Sequence, residues 1–586
     1  MSQTWIRIHD GTRVDPSLAS RLASSTLTSD RSRSDANADS SISSDVWICG
    51  DRIVDAPRST GDKRIVNLDA SDCWILSGGI DIHTHIGGGK LSIARWLLGP
   101  ELRGPEAAMH QRFLPTVTQV ADGYLSMGYT TCFEPAILPC NARAAHLEMS
   151  AIPNLTTGGY CLLGNEPWLL DAIAQNVPQE RINAYVAWMV AATGSIAVKV
   201  VNAGGIDAFK FARRSLDVDQ PHPKHGVTPS QVIRVLARAV NEIGLRHPLH
   251  VHASNLGVPG NIDSTMATIE AADGYPLHLA HVQFHSYGLT ESDGNMCSAA
   301  GRIVDAMNRH PNLSVDVGAV MFGQTVTISA DSMHQFANTP LASPKKSVIL
   351  DVECQSGCGV VPFRYRKKKF VNALQWAIGL ELFLAVEDTS RIFLTTDHPN
   401  GGSFRSYPHL MRLLCDRSFR ETALAEIDSD AAAASSLAGM TRQYSIDDIA
   451  RMTRSGPAEV LGLSDRGHLR PGAVADVTVV RRETDVEAAF SKPKFVIRGG
   501  RILFQEGRKL EDDRVHASSS STSPILMAGR QRLAEIGRDR FDVPDPNFAQ
   551  TWIDDDEFVE LMDAKIHPAG MQTADPPPEV GVRTHD

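Results

Sequence analysis

The chain has 586 residues, too many for one small hydrophobic core, so we expect one large catalytic domain and at least one smaller domain. Its 57 basic and 68 acidic residues give a formal net charge of −11, which argues against nucleic acid or an anionic membrane surface as a partner. The longest apolar runs, such as 184–192, fall short of the roughly 18 residues that span a bilayer. The N-terminus lacks the pattern of a secretory signal, so we expect a cytoplasmic protein without a membrane segment.

The nine cysteines are scattered rather than arranged as a disulfide framework, and most are expected to be small buried residues. Cys354 and Cys358 are close in sequence, but no second pair accompanies them. We therefore favour neither an iron–sulfur nor a structural zinc site at this position.

Residues 1–76 are predicted to contribute strands to a small β domain. Short strands are expected at 4–8 and 46–54. Between them, residues 17–44 consist mostly of Ser, Asp, Ala, Arg and Thr, a composition typical of a flexible insertion.

From residue 77 to 454, short apolar runs alternate with helical stretches, the pattern of repeated strand–helix units around a parallel sheet. In one clear unit, Thr228 and Pro229 offer an N-cap and a first-turn proline, and a strand at 249–251 then delivers His252 to its C-terminal end. The sequence predicts an α/β fold, a (β/α)8 barrel of the TIM type. In such barrels the chemistry gathers at the carboxyl ends of the strands.

Residues 455–510 are predicted to form strands and turns without intervening helices. Together with residues 1–76 they would make a small flanking all-β domain from both chain ends. Residues 511–586 are expected to form an extended polar tail, with a possible helix from Ile525 to Ile536.

Two histidines follow the first apolar run of the predicted barrel. His83 and His85 are two residues apart, so in a strand they point to the same face and can present two imidazoles to one cation. Alone, such a pair is common among ordinary strand-end polar residues.

Lys199 lies near the end of another apolar strand-like run, where a charged amine is costly unless it is modified, neutral or paired. A carbamate formed with carbon dioxide would convert the amine into an anionic oxygen ligand able to bridge two cations. The alternative is a lysine that extends from a strand edge to solvent.

His252 and His281 each follow a further predicted strand and are also candidate ligands. Their neighbours His250, His278 and His285 compete with them. We favour the first two because they lie at strand ends. Hydrogen-bonded core or rim histidines remain the alternative.

Asp397 follows the apolar run 391–396 and precedes a glycine-rich turn. A carboxylate there can bind a metal ion and also take a proton from water, although aspartate is common in turns. With the other candidates, Asp397 would suit two zinc-like ions, which lower the pKa of water and polarise a carbonyl. Hydrolysis of an amide, or its reverse, is the expected reaction.

These strand-end residues resemble the metal-ligand pattern of the amidohydrolase superfamily. The run from Gly128 to Thr131 resembles its second-strand motif, and the run from Ala475 to Val477 resembles its flanking β domain. Within the superfamily, four runs are most similar to the A subunits of formylmethanofuran dehydrogenases and of bacterial formyltransferase/hydrolase complexes. These runs are 79–89, 252–257, 281–288 and 395–402. The resemblance covers about residues 46–510.

The resemblance implies two zinc ions held by the four favoured histidines, by Lys199 as N6-carboxylysine, and by Asp397, which also acts as general base. Asn255, Gln283 and Tyr287 are candidate residues of the substrate pocket.

The substrate implied by the resemblance is the N-formyl group of formylmethanofuran or a related furan-containing carrier. It would be cleaved to formate and the free amine in tetrahydromethanopterin-linked one-carbon metabolism. The implied partners are the other subunits of such a complex, including a formyltransferase. Three alternatives remain: the condensation direction of formylmethanofuran dehydrogenases, a cyclic-amide hydrolase of the dihydropyrimidinase or hydantoinase type, and a non-catalytic scaffold.

Overall fold

The computed structural model describes residues 4–16, 45–61, 63–88, 91–92, 94–95, 114–208, 216–327, 361–510, 524–540, 551–562 and 565–572. The predicted insertion at 17–44 lies outside these ranges, as do Cys354 and Cys358. The seven described cysteines are free thiols. Within these ranges, no helix is both long enough and apolar enough to cross a membrane.

Eight parallel strands of the ten-stranded central sheet form the barrel. In chain order they are β1 Gly79–Asp81, β2 Tyr129–Ile137, β3 Thr156–Leu163, β4 Ala197–Val201, β5 Leu249–His252, β6 Leu277–Leu279, β7 Leu313–Asp316 and β8 Ile392–Phe393. Each strand pairs with the next one in the chain. The sheet curls until Thr84, after β1, forms a bridge with His398, after β8. The predicted barrel is thereby confirmed.

Helices follow the strands and cover the barrel, which explains why the strands are almost continuously apolar. After β1 to β4 come α1 Val117–Ser126, α2 Ala142–Ser150, α3 Pro167–Ala174, α4 Gln179–Ala192, α5 Gly205–Ala208 and α6 Pro229–Glu242. After β5 to β8 come α7 Ile262–Ala271, α8 Ala300–Arg309, α9 Phe370–Ala385, α10 Tyr407–Cys415, α11 Arg417–Ala425, α12 Ser429–Ala433, α13 Ile446–Ala450 and α14 Gly456–Leu461. As predicted, Thr228 caps α6, where it forms a capping box with Gln231.

The two larger of the four further sheets that the described residues form make a layer beside the barrel. The six-stranded sheet has the order Thr12–Arg13, Cys73–Ser77, Val477–Arg481, Phe495–Arg498, Arg501–Gln505 and Arg508–Lys509. The four-stranded sheet has the order Arg52–Val54, Val46–Cys49, Trp5–His9 and Ile65–Asp69. They share a hydrophobic core that includes Ile6, Ile48, Ile75 and Val479. Because Cys73–Ser77 continues almost directly into β1, this layer fixes where β1 enters the barrel.

Two local predictions in these flanks are wrong. The segment 46–54 is a hairpin of two strands, because Gly50 has a positive φ of 63° and turns the chain. A helix, α15 Val486–Ser491, interrupts the region predicted to have only strands and turns. Asp485 caps α15 through Ala488 N, but six residues are too few to show a helical period in the sequence.

The C-terminal segment is built into the barrel. Strand Pro524–Met527 pairs in parallel with the first part of β3. Strand Lys565–Pro568 pairs in turn with Pro524–Met527, and helix α16 Arg530–Arg540 packs on α4. The prediction of a helix beginning at Ile525 is therefore wrong for its first residues. A short apolar run is compatible with either a helix or a strand. Here the run forms a strand because it pairs with Thr157 and Gly158 of β3, which precede the residues of β3 that pair with β4.

Replacing Leu526 with alanine is expected to lower the free energy of unfolding by about 2–5 kcal/mol. Leu526 is 1% exposed and packs with Ile80 and Phe133 in a barrel cluster. The matched change at Leu510, which is 40% exposed, should cost no more than about 0.5 kcal/mol. Denaturant titration of both variants measures the difference. Equal losses would contradict the packing of this strand into the barrel.

Candidate metal centre

Five of the six predicted ligands lie at or just after the carboxyl ends of barrel strands, and Lys199 lies in the middle of its strand. The six are His83 and His85 after β1, Lys199 in β4, His252 in β5, His281 after β6 and Asp397 after β8. The chain turns sharply at two of them, because His281 and Asp397 have positive φ values of 34° and 46°. Such values are costly for residues other than glycine and are often found at functional sites.

The end of β7 approaches this turn closely. A Cβ atom on Gly318 would lie 2.3 Å from the Cβ of His281, so only glycine fits there.

Asp397 faces the histidine pair that follows β1. Its Oδ1 lies 3.2 Å from His83 Nε2 and 3.4 Å from His85 Nε2. His281 also offers a ring nitrogen within 4.8 Å of the facing atoms of His83 and Asp397. The structure thus brings four of the six predicted residues around one buried point.

Carboxylates contact the Nδ1 atoms of His83 and His85, on the side of each ring away from Asp397. Asp316 Oδ2 lies 2.8 Å from His83 Nδ1, and Glu134 Oε1 lies 2.7 Å from His85 Nδ1. When Nδ1–H donates to a carboxylate, the Nε2 lone pair is left free for a cation. Both rings therefore present Nε2 towards Asp397, the arrangement of metal-binding histidines.

Asp316 and Glu134 were not predicted from the sequence. Asp316 ends β7 and also accepts hydrogen bonds from His281 N and Thr395 Oγ1, both at 2.9 Å. Glu134 lies inside β2, and its second oxygen accepts from Ile86 N at 2.8 Å. A carboxylate inside an apolar strand, or at its last position, is the signal that could have identified each of them.

His252 and His281 lie beside each other, with ring centroids 4.4 Å apart. His285 is 5.3 Å from each of these rings, and the three can place one nitrogen each within 4.8 Å of one another. The structure thus brings the favoured pair together and leaves His285 as a competing ligand.

His250 and His278, the other competitors, lie on the opposite side of His83 from Asp397. His250 Nε2 is 3.2 Å from His83 Nδ1, and His278 Nε2 is 3.1 Å from Asp316 Oδ2. Burial lowers the pKa of both rings, so both are neutral. They contact the residues that support His83 and do not face its free nitrogen.

Lys199 is 2% exposed, and its Nζ has no hydrogen-bond partner among the residues that the structure describes. Burial lowers the pKa of Lys199 to about 8, although the charges of Asp316, Asp397 and Glu134 oppose the shift. An unpaired amine among carboxylates is expensive in a protein interior. Conversion to a carbamate whose oxygens bind cations would remove that cost, so the donor set fits a metal pair.

Asp397 is held in its anionic form. Burial raises the pKa of Asp397, but His281 and His83 outweigh burial and keep the pKa well below its ordinary value. The anionic carboxylate can therefore bind a cation.

The three candidate pocket residues fall into two groups. Gln283 Nε2 donates to Tyr287 Oη at 3.1 Å, and Gln375 Nε2 donates to the same oxygen at 2.9 Å. Asn255 instead donates from Nδ2 to Ser264 Oγ at 2.8 Å. A role in substrate binding stays a prediction for all three.

A second buried group of histidine and aspartate lies in the segments after β4. The Nε2 atoms of His222 and His225 are 3.3 and 3.8 Å from Asp207 Oδ2. However, His222 Nδ1 accepts hydrogen bonds from the backbone N–H groups of Lys224 and His225, at 3.2 Å each. The neutral ring of His222 therefore carries its proton on Nε2, 3.3 Å from Asp207 Oδ2. His222 has no ring lone pair left to offer a cation between these three residues.

Replacing Glu134 with glutamine is expected to weaken metal binding about 10–100-fold, because the amide cannot orient His85 as the carboxylate does. The matched control is Glu487→Gln, which changes a carboxylate 2.9 Å from His409 Nδ1 on the surface. Chelator competition on both variants measures zinc affinity. Unchanged affinity in Glu134→Gln would show that Glu134 does not support a ligand.

The chain matches the model of the amidohydrolase family over residues 67–504. It is 41% identical over 522 residues to the A subunit of the formyltransferase/hydrolase complex Fhc of Methylorubrum extorquens, with 86% of this chain and 94% of that protein covered. It is 33% identical over 494 residues to protein FwdA of Methanocaldococcus jannaschii, with 80% of this chain and 86% of that protein covered.

The fold is also similar to a chain in the crystal structure of the FhcABCD formyltransferase/hydrolase complex from Methylorubrum extorquens with methylofuran. The TM-score is 0.82 at 38% identity, covering 97% of this chain and 100% of that chain. The resemblance inferred from the strand-end motifs is confirmed. The chain therefore belongs to the amidohydrolase family, within the group that includes FwdA and the A subunit of Fhc.

Proposed function

We propose that the chain is the hydrolytic subunit of a formyltransferase/hydrolase complex. It would cleave the N-formyl amide of a methanofuran-type carrier to formate and the free amine. The observation that carries this proposal is the buried Asp397 carboxylate, which faces Nε2 of both His83 and His85 at the carboxyl end of the barrel. The identity of 41% with the A subunit of Fhc supports the choice of substrate.

The donor set suits two divalent ions such as zinc, because it combines imidazoles, a carboxylate and a potential carbamate. The proposed ligands are His83, His85, Lys199, His252, His281 and Asp397. When bound, the ions would polarise the formyl oxygen and lower the pKa of water.

Lys199 would act as N6-carboxylysine. Its Nζ attacks the carbon of carbon dioxide, a nitrogen–carbon bond forms, and one proton leaves, which gives an anionic carbamate. Support comes from the burial of Nζ, which has no hydrogen-bond partner among the described residues. A carbamate would also neutralise part of the positive charge of the two ions.

Asp397 would move the proton that the reaction requires. Its Oδ1 accepts a proton from water as the water oxygen bonds to the formyl carbon, and it then delivers that proton to the amine nitrogen as the carbon–nitrogen bond breaks. The products are formate and the free amine. Condensation of formate with the amine would use the same groups in reverse, the direction implied for formylmethanofuran dehydrogenases.

The partners would be the remaining subunits of the complex, including a formyltransferase that loads the carrier. Support comes from the similarity to a chain of the FhcABCD complex, which was crystallised with methylofuran. The expected cytoplasmic location stays a prediction.

The test is formate release from N-formylmethanofuran by the protein purified with its native partners, with metal counted in the same sample. We expect formate together with about two zinc ions per chain. Two bound metals without formate release would refute the carrier assignment. Ring opening of hydantoin by the isolated chain would then favour a cyclic-amide hydrolase.

A further inference from the structure

The barrel interior behind His83 is lined by histidines. His247, His250 and His278 are each fully buried and lie against one another, and His250 and His278 also lie close to Asp316. We call these three residues the histidine layer. Branched aliphatic side chains normally fill this part of a barrel, and buried imidazoles are costly unless they are hydrogen-bonded. The presence of histidines at these positions therefore indicates a role other than packing.

His278 links the layer to the carboxylate behind the metal centre. Its Nδ1 lies 2.8 Å from Ser314 Oγ, and its Nε2 lies 3.1 Å from Asp316 Oδ2. In the neutral ring the serine hydroxyl donates to Nδ1, so Nε2–H donates to Asp316. Ser314 thereby fixes the tautomer that His278 needs to hold Asp316.

His250 places its Nε2 near the same carboxylate oxygen and nearer still to His83 Nδ1, at 3.2 Å. Its Nδ1 is 3.0 Å from His247 Nε2, its Nε2 is 3.5 Å from Asp316 Oδ2, and its ring centroid is 4.4 Å from that of His278. The same oxygen is 2.8 Å from His83 Nδ1. One oxygen atom thus joins the histidine layer to a candidate metal ligand.

We propose that His278, supported by His250, is a positioning residue that fixes Asp316 and, through it, the direction of His83 Nε2. The histidine layer then sets how tightly the centre holds the metal ion bound by His83. This inference rests on the proposed metal centre and adds residues that do not themselves touch the ion. A carboxylate held from behind keeps the histidine from rotating, and such support changes metal affinity about 10–100-fold.

A packing role alone makes a different prediction. Leucine is an ordinary residue of barrel interiors, so His278→Leu would then preserve both the fold and the metal affinity. Glutamine can donate from its side-chain amide, so His278→Gln should restore part of what leucine removes.

The experiment measures zinc affinity by chelator competition, and zinc release rate, in the full complex. We expect about 10–100-fold weaker zinc binding in His278→Leu and a smaller loss in His278→Gln. The control is His146→Leu, because His146 is also fully buried but bonds to Thr193 O at 2.8 Å in the helical layer. This control should lose thermal stability and keep wild-type zinc affinity.

Wild-type zinc affinity in His278→Leu would overturn the inference, and so would equal losses in His278→Leu and His146→Leu. If His278→Leu does not fold, the Ser314→Ala variant tests the inference instead, because it removes only the hydroxyl that fixes the tautomer of His278. Zinc release from this variant should become faster, by roughly tenfold at most. Unchanged release would overturn the inference. A wild-type protein that binds no zinc would instead refute the proposed function itself.

Discussion

Replacing Asp397 with asparagine is expected to lower formate release about 10²–10⁴-fold, because the amide cannot accept a proton from water. Asparagine has nearly the same shape, so the barrel should keep its thermal stability. Zinc content must be measured in the same preparation, because Asp397 is also a proposed ligand. Loss of turnover with zinc retained would assign the proton transfer to Asp397.

The matched control is Asp122→Asn, which changes an exposed aspartate 2.8 Å from Lys509 Nζ. Formate release should stay at the wild-type rate in this variant. A wild-type rate in Asp397→Asn would contradict the mechanism, whatever its zinc content.

Replacing Lys199 with alanine should remove an anionic ligand and lower both zinc content and formate release, the latter by about 10²-fold or more. The cavity left behind could admit a short carboxylic acid. Added acetate or propionate should therefore restore part of the activity, because its oxygens can replace those of the carbamate. Lys494→Ala, which breaks a 3.1 Å ion pair with Asp69, is the control and should need no rescue.

The modification itself can be measured. The wild-type protein labelled with ¹³C-bicarbonate should show a carbamate resonance that is absent from Lys199→Ala. Full activity of Lys199→Ala without added acid, or the same resonance in both proteins, would refute a carboxylated Lys199.

Much of the site could be predicted because the barrel makes position along a strand informative. A histidine or aspartate that follows an apolar run in such a fold lies at the carboxyl end, where strands converge. This reasoning places His83, His85, His281 and Asp397 at one end of the barrel, where the structure brings them together, and their role as ligands stays a prediction. It could not separate His252 from His285, because the short helical turn after His281 brings His285 back beside both rings.

The carboxylates that orient the histidines were harder to predict. Glu134 lies in the middle of an apolar strand, and its contact with His85 depends on the pairing of β1 with β2. Asp316 ends its strand, as a ligand would, but the curvature of the barrel turns it towards Nδ1 of His83. Spacing in the sequence predicts which residues lie at strand ends, but it does not predict which nitrogen of a histidine ring a carboxylate will contact.

The tail shows a similar limit in the fold. The apolar run that begins at Ile525 carries no period that separates strand from helix. The run forms a strand because it pairs with Thr157 and Gly158 of β3, and this pairing joins residues more than 350 positions apart in the sequence.

Crystals of the zinc-loaded complex measured at the zinc absorption edge would locate the ions by anomalous scattering. We expect two peaks at the carboxyl end of the barrel, one about 2.0–2.1 Å from Nε2 of His83 and His85 and one bound by His252 and His281. Peaks only between His83, His250 and Asp316, or at Asp207, His222 and His225, would contradict the proposed centre. So would a loaded, active complex with no peak beside Asp397.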